Sequence, residues 1–238
     1  MGWDFDLSEA VEKGFSFPFT SKGLKFWGML FVASLIYQIG IESFTGTEMV
    51  LSVGILPNPL LGVVFVVFSY LSYLFVYTAL ARALDSDDKN DDISSYFNKM
   101  FFPVIYLFLG SLMYIVGVGI GSILLLVPGV LFAIAFIFYL FPITLESKNP
   151  GKAFNESLEL AKGNFLGIFF FMLIFLGIGI GFMVLVWILS MILFFTMLGE
   201  ILWLNFAVGV VIEIFNGLLY LIGFSALYSV YSQLRTGE

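Results

Sequence analysis

From Asn164 to Gly199 the chain carries no charged residue. A membrane-crossing helix needs about 20 largely apolar residues. This stretch is too long for one untilted span and must break before its end. The break is expected near Thr196–Glu200, with room for a short re-entrant piece. The rest of the chain has the same character. Of its 238 residues 61% are hydrophobic and 11% charged, where soluble domains have about 45–50% and about 25%. A water-soluble core cannot hide that excess in so short a chain, which leaves the bilayer as its solvent.

Six spans follow from the apolar runs: Leu24–Ile41, Leu60–Leu84, Phe101–Val127, Gly129–Leu145, a fifth starting at Asn164 and a sixth ending near Gln233. The expected fold is an all-α polytopic membrane helix bundle, a single integral membrane domain over 1–238. Only "LVPGV" separates spans three and four, so Pro128 and Gly129 are read as the turn of a tight antiparallel hairpin. The N-terminal "MGWDFDLSEAVEKGF" is acidic and has no short apolar core with a cleavage site, so the first span is expected to stay in the mature protein.

The basic residues give an orientation. Lys13, Lys22 and Lys25 precede span one; Arg82, Lys89 and Lys99 lie between spans two and three. Lys148, Lys152 and Lys162 lie between spans four and five, and Arg235 follows span six. These are all 10 of the Lys and Arg residues, and they fall on one side. The opposite loops hold Glu42, Glu48 and Glu200. Positive charge collects in the cytoplasm, so a cell-membrane protein with both termini cytoplasmic is expected.

Each odd-numbered span follows a short amphipathic segment suited to the cytoplasmic interface. In the first, Leu7, Val11 and Phe15 share a face, and Asp6 and Glu9 have capping-box spacing. In the second, Ile93, Phe97 and Met100 align. In the third, Phe154, Leu158 and Ala161 align opposite Lys152, Glu156 and Glu159, with Asn149 as N-cap and Pro150 at the first helical position. A unit of interfacial helix, span and return span would thus occur over 1–84, 85–149 and 150–238, giving a pseudo-threefold tandem repeat about the membrane normal. Gly117–Gly121 ("GVGIG") and Gly177–Gly181 ("GIGIG") recur in the second and third copies. Chance is the alternative, since Gly and Ile are common in spans. Gly117 and Gly121, like Gly177 and Gly181, have the spacing that lets helix backbones approach closely.

The stretch Leu126–Phe169 resembles the membrane domain attached to some glycerophosphodiester phosphodiesterases, and related families of uncharacterised integral membrane proteins. The resemblance rests on the Pro128–Gly129 pair, a span ending in Pro142 then Glu146, and a helix carrying Ala153, Ser157, Lys162, Gly163 and Asn164. The closing Val230–Arg235, "VYSQLR", is similar too. What it implies is a helical membrane bundle with structural motifs and no activity of its own. The phosphodiesterase chemistry belongs to a separate soluble barrel that uses histidines and metal-binding carboxylates.

Histidine and cysteine are both absent, which removes the commonest general base and metal ligand and every thiolate site. No cofactor and no metal are expected. A net charge of −7 offers nucleic acid no basic patch, so membrane lipids are the expected partners, with protein partners or a homo-oligomer left open. The acidic loop Asp85–Ser95 fits no calcium loop: counting from Asp85, positions six and twelve are Asn90 and Tyr96, where Gly and Glu are required. It is read as a solvated loop. Glu146 and Ser157 flank the inner end of span four and are read as helix-end packing.

Glu213 is the exception, an ionisable group inside a span. Such groups usually face a bundle interior or an aqueous cavity. Asn205, Gly209, Glu213 and Asn216 or Gly217 form one stripe at helical spacing, and desolvation favours the neutral acid. Three functions are open. The chain is expected to be a non-catalytic membrane protein that binds lipid, scaffolds or anchors a partner. Alternatively it is a small transporter or channel built on the Glu213 stripe. The third is a lipid-modifying enzyme, for which Asp91, Asp92 and Glu146 would have to gather around a metal. The topology has a direct test: with no native cysteine, single cysteines at Thr47 and Asn90 should label from opposite sides of the membrane. Labelling of both from one side ends the six-span reading.

Overall fold

The structure, a computed structural model, describes residues 3–45, 58–86, 93–195 and 202–237. Every regular element among them is helical. Helix α1 is Leu7–Ser16, and a 3-10 turn over Phe17–Phe19 leads into α2, Ser21–Thr45. Then come α3 (Pro59–Asp85), α4 (Ile93–Tyr96), α5 (Phe101–Leu124), α6 (Leu126–Phe136), α7 (Leu140–Glu146), α8 (Pro150–Ala161), α9 (Phe165–Phe195) and α10 (Leu202–Thr236). Six segments are long and apolar enough to cross a membrane: Ser21–Ile41, Pro59–Asp85, Phe101–Leu124, Leu126–Glu146, Phe165–Ile188 and Gly209–Thr236. This is a multi-pass membrane architecture. The break expected at Thr196–Glu200, with its re-entrant piece, falls outside the described residues; α9 ends before it and α10 starts after it.

The hairpin between spans three and four is present, but its corner is not where the sequence pointed. The chain turns at Leu125, which is extended, and Pro128 and Gly129 lie inside the first turn of α6. A proline there removes an N–H that has no intrahelical partner in any case. Gly129 serves the approach of the two helices. A Cβ on Gly121 would sit 2.9 Å from the Gly129 Cα, and one on Gly129 would meet Ser122 Oγ at 2.2 Å. A Cβ on Gly117 would strike the Phe132 ring at 2.2 Å. The close packing read into Gly117 and Gly121 is therefore geometric fact. Gly177 and Gly181 differ. Among the described residues nothing lies within 4 Å of a Cβ built on either, because the middle of α9 stands apart from its neighbours.

Span four is broken between α6 and α7, and the cause is Pro142. Proline has no N–H to give the carbonyl four residues back and its ring crowds that carbonyl. The Phe138 carbonyl instead accepts from Phe141 N at 3.0 Å. The break leaves the Phe138 N–H to a side chain. Ser157 of α8, fully buried, accepts it at 3.1 Å and passes its own hydroxyl proton to the Ala135 carbonyl at 3.0 Å. One hydroxyl thus replaces the missing rung of the helical ladder. It also fixes α8 against span four, with Ala153, Phe154, Leu160 and Ala161 buried beside it.

The interfacial segments are accordingly of three kinds. Helix α1 forms as expected, capped by Asp6, whose carboxylate accepts from Ser8 N at 2.8 Å and Glu9 N at 3.2 Å. The reciprocal half of the box is absent: Asp6 N goes to Gln233 Oε1 at 2.6 Å and Glu9 pairs with Lys13. Its bundle face is Ala10 and Gly14, while Phe15 stays exposed. A Cβ on Gly14 would meet the Ala226 Cβ of α10 at 2.7 Å. The second segment is a single turn, Ile93–Tyr96, followed by Lys99 at φ 53. Helix α8 starts as expected, Asn149 Oδ1 accepting from Lys152 N at 3.0 Å with Pro150 next. It is sunk into the bundle on a broader face than the sequence suggested.

The core lies at one end. Its largest fully buried side chains include Phe26, Leu30, Leu80, Phe138, Phe141, Ile143, Ile168, Leu221 and Tyr231. These come from where α2 and α9 begin, where α3 and α10 finish, and from span four. The described basic residues sit at that same end. Arg82 ties it together by donating to three carbonyls: Thr144 (3.2 Å), Tyr96 (3.2 Å) and Asn98 (2.7 Å). Glu146 takes Lys148 at 2.8 Å and Arg235 at 2.8 Å, and Lys148 also pairs with Glu156. Burial works against the Lys148 charge, but the hydrogen bonds to Glu146 and Glu156 outweigh it and hold its pKa above the ordinary lysine value. At the other end the helices splay, with Leu60, Leu124, Leu126 and Met183 each more than two-thirds exposed. Hydrocarbon can cover such side chains at no cost, since lipid tails are as apolar as leucine.

The repaired break yields a prediction. Ser157→Ala should lose about 1–3 kcal/mol by stranding the buried Phe138 amide, while Ser16→Ala at the exposed end of α1 should stay within about 0.5 kcal/mol. Unfolding of both variants in mixed micelles by denaturing detergent gives the comparison; equal stabilities would remove the role given to Ser157.

Candidate functional site

Glu213 lies well inside α10, and its carboxyl is engaged by protein. Ser34 of α2, buried in the bundle, donates its hydroxyl to Glu213 Oε2. The Asn216 side chain hydrogen-bonds to the same carboxyl one turn further on. Tyr73 of α3 hydrogen-bonds to Ser34. A polar chain Tyr73–Ser34–Glu213–Asn216 therefore joins α2, α3 and α10 within the apolar bundle. Beside it the Trp27 indole N–H donates to the Ile214 carbonyl at 2.9 Å, and a Cβ on Gly217 would lie 3.2 Å from the Trp27 ring. The small residue at 217 lets α2 come close enough for both contacts.

The expected stripe is thus partly assembled. Glu213, Asn216 and Gly217 face α2 and α3 as helical spacing requires. Gly209 lies one turn earlier on the same helix, and the side chain of Asn205 lies outside the described residues. Ser34 and Tyr73 were not found from sequence. A lone serine in a span commonly satisfies itself on the carbonyl three or four residues back, so nothing in the run around Ser34 marks it as a partner for an acid.

Next to this chain is a cavity of ≈910 Å³. Its wall is drawn from α3 (Tyr70, Leu74, Tyr77), α5 (Leu107, Ser111, Ile115), span four (Tyr139, Leu140), α9 (Phe175 to Val186) and α10 (Ile212 to Leu227). Among the described residues no Asp, Glu, Lys or Arg lines it. Asn216 does, so that residue has one side on Glu213 and the other on the cavity. Glu213 itself is not in the wall. Ile115, Ile180, Met183 and Tyr220 line the cavity and are also more than half exposed, so it is open at its side between the helices. The space exists because α9 leans away: its middle carries Gly177, Gly179 and Gly181, none with a neighbour within 4 Å of a Cβ among the described residues.

The motif residues near span four take structural places. Pro142 breaks the span, Ser157 repairs it, and Glu146 anchors Lys148 and Arg235. Asn164 holds the N-terminal segment, accepting from Asp4 N at 2.8 Å and donating to Asp4 Oδ2 at 3.3 Å. Of the acidic loop, Asp85 accepts from the Tyr228 hydroxyl at 2.8 Å; residues 87–92, which include Asp91 and Asp92, lie outside the described residues. Among the described residues no cluster of three or more acids could hold a metal ion.

Residues 98–234, more than half of the chain, match the family described as Domain of unknown function (DUF7847), and the chain belongs to that family. The match carries no link to the phosphodiesterase-associated membrane domains. No curated protein and no solved structure matches.

The geometry around Glu213 sets its substitutions apart. Glu213→Gln keeps an acceptor for Ser34 and should unfold with the wild type. Glu213→Leu strands Ser34 and Asn216 and should cost about 1–3 kcal/mol. Thermal unfolding in detergent micelles reads both, and a Gln variant as unstable as the Leu variant would mean that the charge itself is needed.

Proposed function

We propose that this protein is a non-catalytic, lipid-binding protein of the cell membrane, with both termini in the cytoplasm, that takes lipid from the bilayer into its intramembrane cavity. The observation that carries this reading is the uncharged cavity of ≈910 Å³ open at its side between the helices. Ligand pockets typically enclose about 300–1,000 Å³ with predominantly apolar walls and a few polar groups. Water is a poor occupant for so apolar a space, whereas lipid tails are present at every lateral opening of a membrane protein. The location of all 10 Lys and Arg on one side of the spans supports the orientation.

A second reading keeps one observation in its favour. Asn216 touches both the cavity and Glu213, so a conformation that turned Glu213 toward the cavity would make a polar path through the bundle. In that case Glu213→Gln would abolish proton or cation flux in proteoliposomes while leaving stability unchanged. Unaltered flux in that variant, or none in the wild type, leaves the lipid reading alone.

The lipid reading is tested by filling the cavity. A Cβ on Gly179 has nothing within 4 Å and the residue lines the wall, so Gly179→Trp should fold and reduce the lipid retained after detergent extraction several-fold by mass spectrometry. Retention equal to the wild type would place bound lipid elsewhere.

A further inference from the structure

The polar groups in the cavity wall are not equally spoken for. Tyr70 donates to Ser111 Oγ at 2.6 Å, and Ser111 gives its own proton to the Phe108 carbonyl at 2.8 Å. Both are satisfied. Asn216 is engaged with Glu213. Tyr77 and Tyr139 are different: among the described residues no hydrogen bond reaches either hydroxyl, nor that of Tyr220, which is more than half exposed. Tyr139 is only 8% exposed, and both line the cavity. Their rings are fixed. Tyr77 stacks on Phe224 with centroids 5.2 Å apart, and Tyr139 stacks on Tyr114 and on Phe154, each at 5.2 Å. Each hydroxyl reaches the cavity, so the partner that it lacks from the protein is left for an occupant to supply.

Resting on the lipid reading, we infer that the cavity selects an uncharged lipid carrying ester or hydroxyl oxygens, a diacylglycerol-type molecule, whose oxygens receive the Tyr77 and Tyr139 hydroxyls. The wall argues against the two neighbouring classes. A phosphate headgroup would enter a space with no Lys or Arg among the described residues of its lining, and burying an unpaired charge is far costlier than burying a hydrogen-bonded oxygen. A bare hydrocarbon would leave both phenols unsatisfied. An ester-bearing lipid satisfies both requirements: its oxygens accept from the phenols near the inner end of span four, and its tails run along Leu176, Ile180 and Met183 toward the opening. A phenol is a donor as well as an acceptor, so a free lipid hydroxyl is accommodated as readily as a carbonyl.

The test is competition binding in detergent micelles with radiolabelled dioleoylglycerol, against dioleoylphosphatidylglycerol and squalene, on the full-length protein. The wild type should prefer dioleoylglycerol to both. One net neutral hydrogen bond is worth about five- to tenfold in affinity, so Tyr77→Phe with Tyr139→Phe should weaken dioleoylglycerol by at least about tenfold and leave squalene unchanged. Equal affinity of dioleoylglycerol for the wild type and the double variant would overturn the selectivity, as would a preference for the charged phospholipid; lipid binding would survive either result. Undiminished binding of every probe to Gly179→Trp would instead bring down the cavity as the lipid site. Should the double variant fail to fold, Tyr139→Phe alone is measured, and the lipid co-purifying with the wild type is quantified. Diacylglycerol enriched over the membrane extract supports the inference, and its absence overturns it.

Discussion

The closed, charge-bearing end of this bundle depends on one hydroxyl. Pro142 denies the Phe138 carbonyl its helical partner, and a span broken in hydrocarbon without repair would expose polar backbone at a cost of several kcal/mol per group. Ser157 supplies the repair by accepting from Phe138 N and donating to Ala135 O. It can do so only because α8 lies inside the bundle rather than on its surface. The break in turn sets the direction of Tyr139, which sits just ahead of α7 with its ring against Tyr114 and Phe154 and its edge in the cavity wall. A helix-breaking proline, a buried serine and a cavity-lining phenol are consequences of one local fact.

The second consequence is the difference between the two ends. At the charged end, Arg82 satisfies three carbonyls and Glu146 gathers Lys148 and Arg235. Breaking these groups apart would leave backbone oxygens and half-buried charges without their partners. At the opposite end the described residues form no such charged cluster, and exposure of apolar side chains to lipid costs nothing. The bundle is therefore closed where its polar chemistry is and splayed where it is apolar. The cavity lies at the transition, which explains how it can be large and uncharged at once.

Much of this was legible in the sequence. The six spans follow from length and hydrophobicity alone, and the placement of Asn149, Pro150 and Asp6 follows from capping chemistry, because those rules act over a few residues. Glu213 was correctly singled out as facing protein, since its cost in hydrocarbon admits few alternatives. What could not be read depends on which helix lies beside which. Gly117 and Gly177 look alike in sequence, yet one meets the Phe132 ring and the other meets nothing. Ser34 and Arg82 have ordinary local contexts, and their roles exist only through partners far along the chain. Pro128 was assigned to the turn because Pro-Gly usually is one; here the extended Leu125 makes the corner and the proline occupies the tolerant first turn of the following helix.

Asn216 joins the two polar features that otherwise keep apart. It spends its side chain on Glu213 and still forms part of the cavity wall. An occupant reaching that point would compete with Glu213 for the amide, whereas one held at Tyr77 and Tyr139 would leave the amide in place. The chain Tyr73–Ser34–Glu213–Asn216 is satisfied from within the protein, and the phenols across the cavity are not. In the lipid reading proposed above, polar lipid oxygens settle on the phenol side and leave Glu213 to hold α10 against α2. An acid buried in a span is then compatible with a cavity whose described lining is uncharged, because its carboxyl is turned to neighbouring helices and contributes nothing to the wall.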